Sequence, residues 1–195
     1  MNRFHRWFCR SDFWKTAVQD GLMPWALSGV DLGDELLEVG PGPGLTTDLL
    51  RTRVPRLTSI EIDPALATAL RRRLDGTNVR VVHGDATQLP FESGAFSAAV
   101  SFTMLHHVPS PARQDRLLAE VCRVLRPGGI FAGTDSLTSL PFRLMHVFDT
   151  NVRIDPDGMG ARLEAAGFTR VSVRQGKSAF SFRATAGGSP ARAAC

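Results

Sequence analysis

The chain has 195 residues and a net charge of +4, with 43% hydrophobic and 22% charged residues. These are the proportions of one ordinary globular domain, not of a disordered or fibrous chain. No apolar run is long enough for a membrane span, and the basic start Met1–Trp7 lacks an apolar signal-peptide core. Cytoplasmic residence and no membrane partner are therefore expected.

Residues 1–32 read as a helical cap, broken near Pro24, with Phe4, Trp7, Phe8, Trp14, Val18, Leu22 and Trp25 as apolar anchors. From Glu35 strands and helices alternate. A strand at 35–39 precedes a helix at 44–52, and a second strand covers 56–61. Asp63-Pro64 then supplies a cap and a first-turn proline for a helix facing inward with Leu66, Leu70 and Leu74. The third strand spans 78–83 and the fourth 96–101. Ser110-Pro111 opens a helix with Leu117, Leu118, Val121 and Leu125 inward. Pro127-Gly128-Gly129 is expected to end it, before a fifth strand at 129–134. This alternation builds βαβ units and a mainly parallel sheet. Residues 136–156 break the rhythm and are expected to form a variable insertion beside a substrate pocket. A helix from Asp155-Pro156 carries Met159, Leu163 and Ala166 inward and stops at Gly167. Strands at Phe168–Val173 and Ala179–Ala184 close the fold as a hairpin. The tail 187–195 is expected to be disordered.

Cys9, Cys122 and Cys195 are the three cysteines, too few and too widely spaced for a disulfide framework or a metal motif. No metal is expected, and Cys122 reads as a small hydrophobe on a buried helix face. The cations are scattered. The one run, Arg71-Arg72-Arg73, sits where arginine complements a helix C-terminus, so nucleic acid is not the expected partner.

The segment Leu36-Leu37-Glu38-Val39-Gly40-Pro41-Gly42-Pro43-Gly44-Leu45 carries the most chemical information. A buried strand runs into a glycine-rich turn and then a helix, which places a ligand at the carboxyl end of a strand. Dinucleotide binding needs glycine at relative positions one, three and six. Gly40 and Gly42 fill the first two, but the sixth is Leu45. No Gly-Lys-Ser/Thr follows, so a P-loop is also excluded. Glu38, just before the loop, suits a ligand with an ammonium or sulfonium group better than a pyrophosphate.

The chain resembles the class I S-adenosylmethionine (SAM) methyltransferases, in particular the small methyltransferase domain 11 type. The resemblance rests on five motifs in order, covering roughly residues 33–135. They are Glu38–Gly44, Ile60-Glu61-Ile62-Asp63, Gly84–Phe91, Phe96–Val108 with its Leu105-His106-His107-Val108, and Leu125–Phe131. It implies a single α/β domain over 1–186 with a Rossmann-like, doubly wound, seven-stranded sheet, mainly parallel with a C-terminal antiparallel hairpin. Residues 33–135 would be the SAM-binding core and 157–186 the closing helix and hairpin.

It also implies SAM as cofactor. Glu61 would hold the ribose hydroxyls, with Ile62 beside it; Asp63 fits the spacing too, but is the natural cap before Pro64. Asp85 and Ala86 would take the adenine, and Glu38, with Gly40, Gly42 and Gly44, the methionyl end. Ser101 and Phe102 would border the methyl donor. The expected reaction is methyl transfer to oxygen or nitrogen of a small-molecule acceptor. RNA or protein methylation, and a non-catalytic SAM-binding scaffold, remain alternatives. A general base is needed only for an acceptor that arrives protonated. His106, His5 and His146 are its candidates, against packing roles for each. Oligomeric state is not legible.

Overall fold

The computed structural model describes residues 11–137 and 151–187. His5, His146, Cys9, Cys195, most of the insertion and most of the tail lie outside these residues.

The chain enters through α1 (Asp12–Thr16), a π-helical turn (Ala17–Leu22) and α2 (Met23–Leu27). The break expected near Pro24 does not occur. Leu22 and Met23 keep right-handed helical dihedrals, and the Met23 N–H bonds back to the Val18 carbonyl. The wide turn hands over to an α-turn where proline's missing N–H is tolerated. Val18, Met23, Ala26 and Leu27 then pack on Leu36, Leu57, Ala98, Val100 and Phe102 of the sheet.

The sheet follows in the order of its sequence signals: β1 (Glu35–Val39), α3 (Leu45–Leu50), β2 (Arg56–Glu61), α4 (Pro64–Arg73), β3 (Val79–His83) and β4 (Phe96–Phe102). A short 3-10 turn (Leu105–His107) precedes α5 (Pro111–Val124), β5 (Leu125–Ser136), α6 (Pro156–Ala165), β6 (Phe168–Gln175) and β7 (Ala179–Ala186). The seven strands lie in the order β3-β2-β1-β4-β5-β7-β6. The first five pair in parallel, and β7 runs antiparallel to β5 and β6. This is the expected doubly wound sheet with its closing hairpin.

Both sheet faces are covered, which explains why the central strands read as nearly unbroken apolar runs. Leu37, Val39 and Phe131 face the core that α5 and α6 complete with Leu117, Leu118, Val121, Met159 and Leu163. Leu36, Ala98 and Ala132 point the other way, toward the N-terminal helices. Caps set the helix starts. The Asp63 carboxylate accepts from the Ala65 and Leu66 N–H groups, and the Ser110 hydroxyl from the Arg113 N–H.

One boundary differs from expectation. β5 starts at Leu125, not at 129, and α5 ends at Val124. Leu125 pairs with Phe96, and the register shifts before Ala98 meets Ile130. Pro127-Gly128-Gly129 therefore shapes an irregularity inside a strand instead of stopping a helix. Gly128, at φ +82°, supplies a backbone conformation that side-chain-bearing residues rarely adopt. Among the described residues, no helix is long and apolar enough to cross a membrane.

Candidate cofactor and acceptor cleft

A cleft of about 480 Å³ opens at the carboxyl ends of β1, β2, β4 and β5. That is where an open α/β sheet has its crevice, at the reversal of strand order between β1 and β4, and the volume suits a small ligand. Its walls bring together Gly40 and Gly42, Glu61 and Ile62, Asp85 and Ala86, and Phe102 and His106. Four separate stretches of sequence thus converge on one cavity.

The glycine loop forms the floor. Gly40, Gly42 and Gly44 all have positive φ, at +71°, +54° and +91°. A Cβ on Gly40 would lie 2.1 Å from Met104 Cγ, whereas one on Gly42 would meet nothing within 4 Å. Gly40 is thus required by packing, and Gly42 leaves open space at the cleft floor. Gly44 supports the loop from behind, against Leu70 and Arg73.

Glu38 is 1% exposed and lies beneath the loop, not in the cleft wall. Its carboxyl accepts from the hydroxyls of Thr46, Thr47 and Ser59, the last two at 2.7 Å. Burial raises its pKa, and the three hydroxyls oppose the rise. Of the three partners, Thr46 lines the cleft.

Glu61 faces the same floor. One of its oxygens accepts from the Gly42 N–H and the other from the Asp63 N–H, both at 2.9 Å. Each oxygen has a second lone pair that a hydroxyl can use. Asp63 instead spends its Oδ1 on capping α4. Beside it Ile62 is 63% exposed, an apolar surface that a flat ring would cover.

Asp85 closes this end of the cleft. Its Oδ1 accepts from the Thr87 N–H at 2.8 Å and its Oδ2 from the Arg113 guanidinium at 2.6 Å. Burial alone would raise its pKa, but the bonds from Thr87 and the charge and hydrogen bond of Arg113 outweigh it and hold the pKa low. The residue stays an acceptor.

The other end is built from β4, the 3-10 turn and β5. Phe102 lines it, but Ser101 does not; its buried hydroxyl has no partner. Thr103 has φ +49°, a strained conformation for a β-branched residue, pinned by a 2.8 Å bond from its N–H to the Thr134 carbonyl. His106, 3% exposed, reaches the cleft wall with its Nδ1 2.6 Å from Asp135 Oδ1. The returning chain braces this turn. The Val152 N–H donates to the His106 carbonyl at 2.8 Å, and Gln114 Nε2 donates to Leu105 and Val152.

Sequence reading passes over Asp135, Arg113 and Thr103. Asp135 leaves one signal, a lone acid shortly after the apolar run Ile130-Phe131-Ala132. Arg113 and Thr103 leave none, because an exposed helix arginine and a loop threonine are common.

Residues 37–133 match the family model described as a methyltransferase domain. The chain belongs to this methyltransferase family. Among curated relatives, it is 39% identical over 106 residues to a fatty-acid O-methyltransferase of Mycolicibacterium smegmatis, a match covering 53% of this chain and 38% of that one. It is 38% identical over 85 residues to a probable ribosomal RNA small subunit methyltransferase A of Thermococcus onnurineus, covering 44% and 29%. The chain thus spans less than half the length of these relatives. Among solved structures it is similar to the N-methyltransferase NodS of Bradyrhizobium japonicum in complex with S-adenosyl-L-homocysteine. That fold agrees with a TM-score of 0.72 at 18% identity, over 92% of this chain and 91% of that one.

The methyltransferase cleft also passes a chemical test for SAM. It offers open space above Gly42, carboxylates at Glu61 and Asp85 for hydroxyl and amino donors, and an exposed apolar surface at Ile62. A dinucleotide would set its pyrophosphate on this loop, where Glu61 already occupies the Gly42 N–H and would repel it.

Proposed function

We propose that this protein is a SAM-dependent methyltransferase acting on oxygen or nitrogen of a small-molecule acceptor. The observation that carries the reading is the convergence of Glu61 and Asp85 on the glycine-loop cleft. Glu61 holds the ribose hydroxyls with Ile62 alongside, and Asp85 and Ala86 hold the adenine. The Gly40–Gly44 loop, backed by Glu38 through Thr46, takes the methionyl end. Phe102 and His106 border the acceptor side. When bound, the cofactor supplies an activated methyl carbon. The protein's contribution is orientation and exclusion of water from an apolar cleft.

RNA is the second acceptor class, suggested by the rRNA-methyltransferase relative and the net charge of +4. The geometry favours the small molecule, because many arginines are committed to carboxylates. Arg56, Arg73, Arg123, Arg126 and Arg162 all form ion pairs, which weakens any basic stripe.

Isothermal titration with SAM and with NAD tests the reading. SAM binding without NAD binding is expected. Glu61→Ala and Asp85→Ala are each expected to weaken SAM about 10- to 100-fold, the loss of one or two hydrogen bonds to a charged group. Unchanged affinity in both variants removes the site assignment. Salt-sensitive RNA binding by the same protein would move RNA to first place.

A further inference from the structure

We propose that Thr103 and Ser136 determine acceptor specificity. Their hydroxyls form a neutral subsite that takes an uncharged hydrogen-bonding group on an apolar body and turns away a carboxylate of the same shape. The inference rests on the proposed methyl-transfer function and narrows its acceptor.

A β-branched residue at φ +49° is strained, and the bond from the Thr103 N–H to the Thr134 carbonyl holds it there. Strain of this kind gathers at sites of function. Here it changes what the strand end displays. Successive residues of an extended strand face opposite sides, yet Phe102, Thr103 and Met104 all line the cleft. The Met104 side chain lies against Gly40, at the start of the glycine loop. Thr103 therefore stands where the cofactor loop meets the acceptor wall. Ser136 joins it from the neighbouring strand. Phe102 pairs with Thr134, and Ser136 ends that strand and lines the same cleft.

Both hydroxyls are accessible. Among the described residues neither makes a hydrogen bond, and neither is one of the buried hydroxyls without a partner, which belong to Ser101, Thr134 and Ser181. Each can donate and accept. Trp14, Val18, Phe102 and Met104 supply apolar surface to the same cleft, which suits an apolar body. The charged side chains of the wall, Glu61, Asp63, Asp85 and Arg113, stand at or just beyond the ends of β2 and β3 and at the start of α5. Asp135, next to Ser136, is fully buried and takes the Ser136 N–H and the His106 Nδ1 on one oxygen. A carboxylate ligand would exchange its water for two neutral donors in front of that buried acid, at a cost in desolvation and repulsion. An uncharged amide or hydroxyl meets neither cost.

Equilibrium dialysis of the full chain tests the subsite, with and without S-adenosyl-L-homocysteine. The probes are 2-naphthamide, 2-naphthoate and naphthalene, which share one apolar body. At pH 7 the carboxylate, with an ordinary pKa near 4, is ionised. 2-Naphthamide should bind about tenfold or more tightly than 2-naphthoate. Thr103→Val and Ser136→Ala should each weaken 2-naphthamide about 2- to 10-fold, the loss of one neutral hydrogen bond, and leave naphthalene within about twofold. Thr103→Gly adopts the same backbone without strain. It should lose the same preference while its melting temperature stays within about 2 °C of wild type. A larger fall would show a side chain held for stability and overturn the assignment. Absence of 2-naphthamide binding, 2-naphthoate binding as tightly, or unchanged affinity in both hydroxyl variants also overturns it. Failure of wild-type protein to bind S-adenosyl-L-homocysteine refutes the proposed function, whereas the amide preference of cofactor-free protein reports on the subsite alone.

Discussion

The two ends of the cleft are built by different means. At the proposed cofactor end, β1, β2 and β3 each run into a short motif, and the candidate binding groups sit within a few residues of a strand end: Gly40–Gly44, Glu61-Ile62 and Asp85-Ala86. At the proposed acceptor end, a hydrogen bond joins two residues 29 positions apart, His106 and Asp135. The first end uses backbone geometry and carboxylates at the cleft wall. The second uses a buried charge, a strained threonine and a turn braced by chain returning after the insertion. A site that holds one common cofactor can be written in local motifs. The contacts at the other end are assembled by tertiary structure.

Three substitutions sharpen that contrast. Gly40→Ala should have the largest effect. The position has φ +71° and Met104 Cγ would lie 2.1 Å from the new Cβ. Backbone strain and displacement of Met104 should cost about 1–3 kcal/mol of stability and weaken SAM binding in the same variant. A melting temperature equal to wild type would show that the loop is not strain-critical. The effect links the two ends, because Met104 directly precedes the Leu105–His107 turn at the other one.

Glu38→Gln should have a smaller, pH-dependent effect. Burial raises the folded-state pKa of Glu38 above its ordinary value. The folded protein therefore binds this proton more tightly than the unfolded chain does. The stabilisation it contributes is full below the unfolded pKa and is lost as pH rises through the folded one. Glutamine does not titrate. Urea unfolding from pH 5 to pH 8 should find wild type losing stability relative to Glu38→Gln as pH rises. A constant difference across that range would contradict a raised pKa.

Arg113→Ala should change least. Its ion pair with Asp85 is nearly half exposed on the arginine side, at 46%, and exposed pairs contribute about 0–1 kcal/mol. SAM affinity should stay within about fivefold of wild type at moderate salt. A larger loss would mean that Arg113 contacts the ligand itself.

The order of strands and helices was determined by the sequence alone, because apolar periodicity and capping residues are local signals. Asp63, Ser110 and Asp155 mark their helix starts as expected, and the glycine loop announces the cleft. The start of β5 was not legible in the same way. Pro127-Gly128-Gly129 is a stop signal by local chemistry, yet pairing of Leu125 with Phe96 draws the segment into the sheet. Nor could the sequence tell that Glu38 lies under the loop, since Thr46, Thr47 and Ser59 surround it only once β2 and α3 are packed. The contact of His106 with Asp135 was not legible either, since no spacing rule joins the ends of two neighbouring strands. Tertiary structure decided these points because a buried carboxylate takes its character from whatever the fold places within hydrogen-bond reach.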